Sequence, residues 1–244
     1  MSDELLFGIH AVEAALNGDS VTEVVIAAGR QDGRMQGLLR TARDHNVKVR
    51  EVGRRELDDL ARGRRHQGVV AYARAAKVRG EGELHELLDS LEVPPFLLIL
   101  DGVTDPQNLG ACLRSADGAG VHAVIAPRDK AVGLTSTVRK VASGAAETTP
   151  FFQVTNLART LRELQERGVW TVGAAGEADA DLYAVDLKGP LAVVLGAEGK
   201  GLRRLTREHC DTLARIPMVG AVESLNVSVA TGVFLFEALR QRRG

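Results

Sequence analysis

The sequence predicts an α/β protein of two domains, the second of which is built on a mostly parallel sheet. Apolar runs after residue 95 lack the polar alternation of half-buried strands, which is typical of strands buried on both faces of a parallel sheet. Helical patterns fill the gaps between these runs, for example Leu157, Leu161 and Leu164. With 244 residues, each domain can bury a core of its own. The runs are 96–100, 123–126, 170–175 and 191–196.

A small α/β domain is predicted for residues 1–75. Ile9, Val12 and Leu16 are spaced for one face of a helix, and a second helical pattern lies around Leu38. Strand patterns are found at 21–28, 47–52 and 68–73.

Residues 76–95 are predicted to be a linker, because the segment is charged, carries one short helical pattern and ends in Pro94 and Pro95. Consecutive prolines cannot continue a helix, so the chain starts a new unit after them. The second domain is therefore predicted for residues 96–244.

The stretch 60–74 is rich in arginine and contains no acidic residue. A glycine between Arg62 and Arg64 indicates a flexible, exposed loop. Guanidinium groups match the geometry of phosphate, so Arg62, Arg64 and Arg65 are candidates for contacts with RNA. A solvated surface turn explains the same residues equally well.

Composition excludes several classes of function. The formal net charge of -1 argues against a chain that coats nucleic acid over its whole surface, so any RNA site is focal. Cys112 and Cys210 form no CxxC pair, which excludes a disulfide framework and a standard zinc site, and no metal is expected. No apolar run reaches the roughly 18 residues of a membrane span. We expect a cytoplasmic protein without membrane contact.

Polar residues follow the first apolar strand of the second domain. A helix is predicted to start near Asn108, which leaves Asn108 and Arg114 on or near the loop side. A simpler interpretation is that Asp105 and Pro106 are an N-cap and a first-turn proline, with Arg114 a surface charge.

A glycine-rich loop follows the last apolar strand. Gly196, Gly199 and Gly201 lie close together, and glycines at the carboxyl end of a strand allow a backbone to approach a ligand. The loop is not a phosphate-binding P-loop, because Gly201 stands where Ser or Thr is required. A tight strand-to-helix turn with a solvent-facing Glu198 explains these residues almost as well.

The stretch 216–232 is predicted to be a loop that closes into a helix headed by Ser224 and Asn226, both good N-caps. Free backbone donors and two short polar side chains beside an apolar wall suit a buried ligand. No GxSxG surrounds Ser224, which argues against a serine hydrolase triad. The histidines nearest these segments are expected to be surface or packing residues: His66, His122 and His209.

These three segments, in this order, resemble the motifs of the SpoU (TrmH) family of RNA 2′-O-ribose methyltransferases, within the SPOUT superfamily. The likeness extends to the N-terminal domain, which in a subset of the family is similar to ribosomal protein L30e. The matching segments are 105–114 (DPQNLGACLR), 195–201 (LGAEGKG), 216–218 (IPM), 224–230 (SLNVSVA), 7–12 (FGIHAV) and 66–70 (HQGVV).

The resemblance implies a fold with a deep C-terminal trefoil knot, S-adenosylmethionine as the cofactor, and a homodimer whose active sites use residues of both subunits. It implies that Gly196, Ile216 and Leu225 contact the cofactor. A protonated Arg114 is expected to stabilise the developing alkoxide, because guanidinium keeps its proton in proteins. The residues that the resemblance assigns to catalysis are Asn108, Arg114, Glu198, Ser224 and Asn226.

Within the family, the resemblance is closest to enzymes that methylate a guanosine of bacterial 23S rRNA, in the large-subunit loop that meets P-site tRNA. Neither DNA nor a membrane is an expected partner. One alternative is methylation of tRNA or another rRNA position. A second alternative is a non-catalytic RNA-binding or ribosome-assembly factor, which is disfavoured because all five of the residues assigned to catalysis are present.

Overall fold

The computed structural model describes residues 3–17, 21–29, 32–74 and 78–244. The chain divides into two units by its internal contacts. The smaller unit comprises Met1–Lys77 and Arg139–Thr148, and the larger unit comprises Val78–Val138 and Thr149–Gly244.

A four-stranded mixed sheet forms the centre of the smaller unit. Its elements are β1 (Asp3–Phe7), α1 (Ile9–Asn17), β2 (Val21–Ala27), α2 (Gly33–Asp44), β3 (Lys48–Val52), α3 (Arg54–Ala61) and β4 (Val69–Arg74). The strand order is β1-β4-β2-β3, in which only β2 and β3 pair in parallel. The three strands and two helices predicted here are confirmed, and α1 buries Ile9, Val12 and Leu16 as expected. The sequence pattern did not indicate β1 or α3.

The larger unit is built on a seven-stranded sheet. The elements that follow β4 are α4 (Glu81–Ser90), β5 (Phe96–Asp101), α5 (Pro106–Ala119), β6 (Ala123–Pro127), α6 (Ser136–Ala142), α7 (Ala145–Thr148), β7 (Phe151–Val154), α8 (Leu157–Glu166), β8 (Trp170–Ala174), β9 (Ala180–Asp181), β10 (Leu191–Gly196), α9 (Arg204–Glu208), β11 (Thr212–Arg215) and α10 (Val227–Arg242). Of these, α7 and the part of α6 from Arg139 onwards belong to the smaller unit. The strand order is β7-β6-β5-β10-β8-β11-β9, and every adjacent pair is parallel.

The prediction of a parallel sheet is thus confirmed. All residues of β5 and β6 are buried, and so are the first five of β10, which explains why these runs lack polar alternation. Leu157, Leu161 and Leu164 of α8 are buried in the same core. The helical pattern within 76–95 is observed as α4, whose Leu84 and Leu88 also join the core of the larger unit.

Two helix starts differ from the sequence predictions. α5 begins at Pro106 rather than near Asn108, because the carboxylate of Asp105 caps the helix by accepting from the backbone N–H groups of Gln107 and Asn108 at 2.7 and 2.9 Å. Asn226 alone caps α10, accepting from the N–H of Ser228 at 2.8 Å. Ser224 lies two residues before the cap and is exposed. None of the helices described is long and apolar enough to cross a bilayer.

Glu237 forms an ion pair and a hydrogen bond within α10 whose contribution to stability can be tested. Its carboxylate is nearly buried and accepts from Nε and Nη2 of Arg240 and from Nε2 of Gln241, each at 2.8 Å. The hydrogen bonds from Arg240 and Gln241 lower its pKa from 4.5 to about 2. A lowered folded-state pKa means that the ionised group stabilises the fold above pH 4.5, and that this stabilisation disappears as the pH falls towards about 2.

We therefore expect Glu237→Gln to lower the melting temperature by a few degrees at pH 7, with the difference from the wild type vanishing near pH 2. Thermal unfolding at a series of pH values measures this. Glu208→Gln is the control, because Glu208 forms an exposed i,i+4 pair with Arg204 and such pairs contribute little. An equal loss in both variants at pH 7 would contradict the assignment.

Candidate active site

A cavity of about 680 Å³ opens at the carboxyl ends of β8, β10 and β11, which are neighbours in the sheet of the larger unit. Its volume lies within the range of roughly 300–1,000 Å³ that is usual for small-molecule sites. The carboxyl edge of a parallel sheet is the common location for ligands in α/β proteins. The lining residues are Ala174, Ala175, Gly176, Glu177, Leu195, Gly196, Ala197, Glu198, Gly199, Lys200, Gly201, Leu202, Arg207, Ala214, Arg215, Ile216, Met218, Glu223, Ser224, Leu225, Val227, Ala230 and Phe234.

The glycine-rich loop after β10 folds back on itself. The N–H of Gly201 donates to the carbonyl of Ala197 at 2.8 Å, and Gly199 and Gly201 have positive φ angles of 71° and 63°. A Cβ atom at Gly196 would lie 2.0 Å from the carbonyl carbon of Gly201, a distance that no side chain can tolerate. The loop therefore requires glycine at position 196 for its own backbone packing.

Asp101, at the end of β5, holds the backbone just after this loop, at Arg203. Its side chain is fully buried, and Oδ2 accepts from the backbone N–H of Arg203 at 2.8 Å. The guanidinium Nε of Arg203 lies 3.4 Å from Oδ1. The sequence analysis did not identify Asp101 as a site residue, although an acidic residue that ends an apolar strand is a usable signal.

Three of the residues expected to be catalytic are directly joined. The side-chain amide of Asn226 donates from Nδ2 to Oδ1 of Asn108 at 3.0 Å and also to the carboxylate of Glu198. Its Oδ1 simultaneously caps α10. Asn108 comes from the first turn of α5 and Glu198 from the loop after β10, so Asn226 connects segments that are distant in sequence.

α5 and α10 pack side by side in the same direction. The order of contacts is the same along both helices: Asn108 meets Asn226, Sγ of Cys112 lies 3.3 Å from Oγ1 of Thr231, and Gly118 faces the ring of Phe236. Cys112 and Thr231 are buried. Small side chains at these positions allow the helices to approach closely, which places both helix N-termini at the edge of the cavity.

The remaining predicted residues fall into two groups. Gly196, Ile216, Ser224 and Leu225 line the cavity, together with Glu198. Arg114 does not line it: its side chain is exposed on α5 and forms no hydrogen bond or ion pair within the part of the chain that the structure describes.

The cavity also contains charged residues that the sequence analysis missed. Glu177 forms an ion pair with Arg207 at its edge, and Arg215 contributes to the lining. Glu223 also lines the cavity, but it belongs to the stretch 216–232 that the sequence had already indicated. Glu177 follows Gly176 at the carboxyl end of β8, the same kind of position that drew attention to the other loops. The rule that residues just after a buried parallel strand are candidates for ligand contacts, applied to the strand at 170–175, could have identified Glu177.

Other reactive side chains have structural roles. Burial raises the pKa of the Cys112 thiol to about 11, and burial with the nearby carboxylates of Asp211 and Asp101 raises that of Cys210 to about 12, so neither supplies a thiolate at neutral pH. His122 accepts from the N–H of Phe96 at 2.9 Å, a packing role as predicted. Within residues 3–17, 21–29, 32–74 and 78–244, no group of His, Cys, Asp and Glu could hold a metal ion.

Comparison with known proteins gives matches along both units. Residues 95–236 match the model of the SpoU rRNA Methylase family, and residues 5–78 match a model described as RNA 2'-O ribose methyltransferase substrate binding. The 23S rRNA (guanosine-2'-O-)-methyltransferase RlmB of Shewanella oneidensis is 60% identical over 242 residues, which is 98% of each chain.

Solved structures with the same fold include an RNA 2'-O ribose methyltransferase, with a TM-score of 0.78 and 28% identity, over 99% of this chain and 90% of the other. An AdoMet-bound rRNA methyltransferase from Sinorhizobium meliloti aligns with a TM-score of 0.76 and 25% identity, over 98% of this chain and 87% of that one.

Proposed function

The chain belongs to the SpoU rRNA methylase family, and on that premise we propose that it transfers a methyl group from S-adenosylmethionine to the ribose 2′-hydroxyl of a guanosine in 23S rRNA. The observation that carries the proposal is the Asn108–Asn226–Glu198 group beside a ligand-sized cavity at the carboxyl ends of three parallel strands. The guanosine and the 23S rRNA come from the relatives of about 60% identity, which carry that activity in their names. We place this guanosine in the large-subunit loop that meets P-site tRNA. We also propose that the protein acts in the cytoplasm.

The residues of the cavity suit S-adenosylmethionine. Ile216 and Leu225 supply apolar surface, and the loop at Gly196 supplies backbone groups, which together fit an adenosine. Three carboxylates and three cations share the lining, which suits a ligand that carries both an ammonium and a carboxylate. These residues are Glu177, Glu198, Glu223, Lys200, Arg207 and Arg215. When bound, this cofactor supplies a methyl group already activated by a sulfonium.

The chain's own residues have to orient the ribose hydroxyl and compensate the charge that develops on its oxygen. We assign the second task to Arg114, whose protonated guanidinium stabilises an alkoxide as an ion partner. Asn226, held by Asn108 and Glu198, fixes the shape of the site. Ser224 contributes a hydroxyl at the cavity wall.

Arg114 is proposed to act in the site of the neighbouring subunit of a homodimer. Two observations support this arrangement: Arg114 is exposed away from its own cavity, and α10, which packs on α5, presents Val229 and Phe236 to solvent at 52% and 49% exposure. A second copy that covers Val229 and Phe236 would remove apolar surface from water. It would also bring its own Arg114 to the interface between the two subunits.

We propose that residues 1–75, similar to ribosomal protein L30e, bind RNA, and that 96–244 form a methyltransferase domain with a deep trefoil knot. Residues 76–95 connect the two in sequence, and α4 within them packs in the core of the larger unit. The match of residues 5–78 to a substrate-binding model supports the first assignment. Family likeness is the support for the knot.

Methylation of 23S rRNA isolated from a strain that lacks this gene tests the proposal. With S-adenosylmethionine, the purified chain should add one 2′-O-methyl group, which ribose-methylation mapping should locate at a guanosine. Transfer RNA from the same strain is treated in parallel. Methylation of the tRNA alone would favour the alternative substrate, and no methylation of either RNA would refute the enzyme assignment.

A further inference from the structure

A second cavity, of about 880 Å³, lies in the smaller unit and has no part in the chemistry described above. It opens where β2 ends, between the start of α3 and the loop that leads into β4. The lining residues are Ala27, Ala28, Gly29, Arg54, Asp58, Asp59, Gly63, Arg64, Arg65, His66, Gln67 and Gly68.

Within the part of the chain that the structure describes, the guanidinium groups of this cavity have no carboxylate partners. The side chains of Arg54 and Arg65 form no hydrogen bond or ion pair there, and the guanidinium of Arg64 lies over the ring of Phe7 at 4.9 Å. Arginines elsewhere in the chain are commonly paired, as Arg159 is with Glu81. Three exposed guanidinium groups therefore face one concave surface with their donors available.

The two carboxylates of the lining offset part of this charge, so the three arginines leave the lining net positive. The carboxylate of Asp58 accepts a hydrogen bond from Nε2 of His66 at 2.8 Å, so its contact is with the loop and not with an arginine. Asp59 is the other acidic residue of the lining, and Arg62 lies immediately beside the cavity. The region is locally cationic in a chain whose net charge is -1, so the charge is concentrated here rather than spread over the surface.

The loop that carries these arginines is exposed, as its sequence predicted, and hydrogen bonds join it to neighbouring residues. Arg62 and Gln67 adopt left-handed φ angles of 47° and 50°, which are unfavourable for residues other than glycine. Oε1 of Gln67 accepts from the N–H of Ile9 at 3.2 Å, and the N–H of Arg64 donates to the carbonyl of Ala61 at 2.9 Å. Strained backbone held by hydrogen bonds is characteristic of binding sites.

We propose that this cavity binds the phosphodiester backbone of the RNA substrate, through Arg54, Arg64 and Arg65. The inference rests on the proposed function for the identity of the RNA. A planar guanidinium group donates two parallel hydrogen bonds to one phosphate. A loop that is already fixed by hydrogen bonds presents these groups with little loss of entropy. Such contacts position the RNA without reading its sequence.

The test compares two double variants of equal charge. Arg54→Gln with Arg65→Gln changes the cavity, whereas Arg40→Gln with Arg43→Gln removes two exposed arginines of α2 that lie outside it. Binding of a 23S rRNA fragment is measured from 50 to 300 mM KCl, together with methylation kinetics and cofactor affinity.

The cavity variant should reduce the slope of log K against log salt by roughly 1.4, since each phosphate contact contributes about 0.7 on single-stranded RNA. Affinity at 0.1 M salt should fall roughly twentyfold, with a matching rise in KM, while kcat at saturating RNA and the affinity for S-adenosylmethionine stay at wild-type values. The α2 variant should keep the wild-type slope.

Equal slopes for the two double variants would overturn the proposal. So would binding of inorganic phosphate at submillimolar concentration that leaves the affinity for RNA unchanged, because the cavity would then be a free-anion site that RNA does not occupy. The two proposals can fail separately. If the cavity variant shows the expected smaller slope but the wild type methylates no RNA, the phosphate site stands and the methyltransferase assignment fails.

Discussion

Gly196→Ala should weaken binding of S-adenosylmethionine by up to about 100-fold. The added methyl group would lie 2.0 Å from the carbonyl carbon of Gly201 and 2.2 Å from the nitrogen of Leu202, so the backbone of the loop has to move. Overpacking of this kind commonly costs about 1–3 kcal/mol, and backbone atoms have less freedom to adjust than side chains. The loss therefore arises from a displaced cavity wall, not from a filled cavity. Isothermal titration calorimetry measures it.

Gly220→Ala is the matched control for this substitution. Gly220 lies in the loop between β11 and α10, near the same cavity, but a Cβ atom there meets nothing within 4 Å and its φ angle is not positive. Cofactor affinity should stay within about twofold of the wild type. Wild-type affinity in Gly196→Ala would show that the loop does not form the cofactor site.

Arg114→Ala should lower kcat for RNA methylation by about 10²–10³-fold, the usual loss when a group that stabilises a developing oxyanion is removed. Cofactor affinity should change little, because Arg114 is assigned to the ribose hydroxyl and not to S-adenosylmethionine. RNA affinity should change little, because this is one exposed charge among many. Single-turnover methylation, with RNA and cofactor binding measured separately, gives the result. Near-normal turnover would remove Arg114 from the mechanism.

A mixture of Arg114→Ala and Gly196→Ala subunits tests whether Arg114 serves the neighbouring site. In a mixed dimer, the intact cavity of one subunit receives the intact Arg114 of the other. Random exchange should restore roughly a quarter of wild-type activity, since half the dimers are mixed and each has one working site. Mixed dimers that form but remain inactive would place Arg114 in its own subunit's site.

The parts of the fold that the sequence revealed are those with a strong local pattern. β5, β6 and β10 are apolar on both faces, and this is visible residue by residue. β1 begins with charged residues, and β11 has four residues, too few to establish a period. The strand order was beyond local patterns altogether, because β10 lies between β5 and β8 although it follows both in the chain.

The site could be predicted as far as its loops but not its contacts. Glycines and polar residues after buried strands indicated the segments of Gly196, Glu198 and Ile216, which the structure brings to one cavity. The amide that joins Asn226 to both Asn108 and Glu198 depends on how α5 meets α10, which no sequence spacing encodes. The hydrogen bond from the N–H of Arg203 to the buried carboxylate of Asp101 could not be predicted for the same reason.

The parallel packing of α5 and α10 has an electrostatic consequence. Each helix carries about half a unit of positive charge at its N-terminus, and these two ends meet at Asn108 and Asn226. The dipoles of parallel neighbours repel along their length, yet their fields add at the shared end. This field favours an anion at the shared end, and under the proposed function it would stabilise a ribose oxygen there as it loses its proton. Substitutions that tilt α10 should therefore change the acidity of the substrate hydroxyl without contacting it.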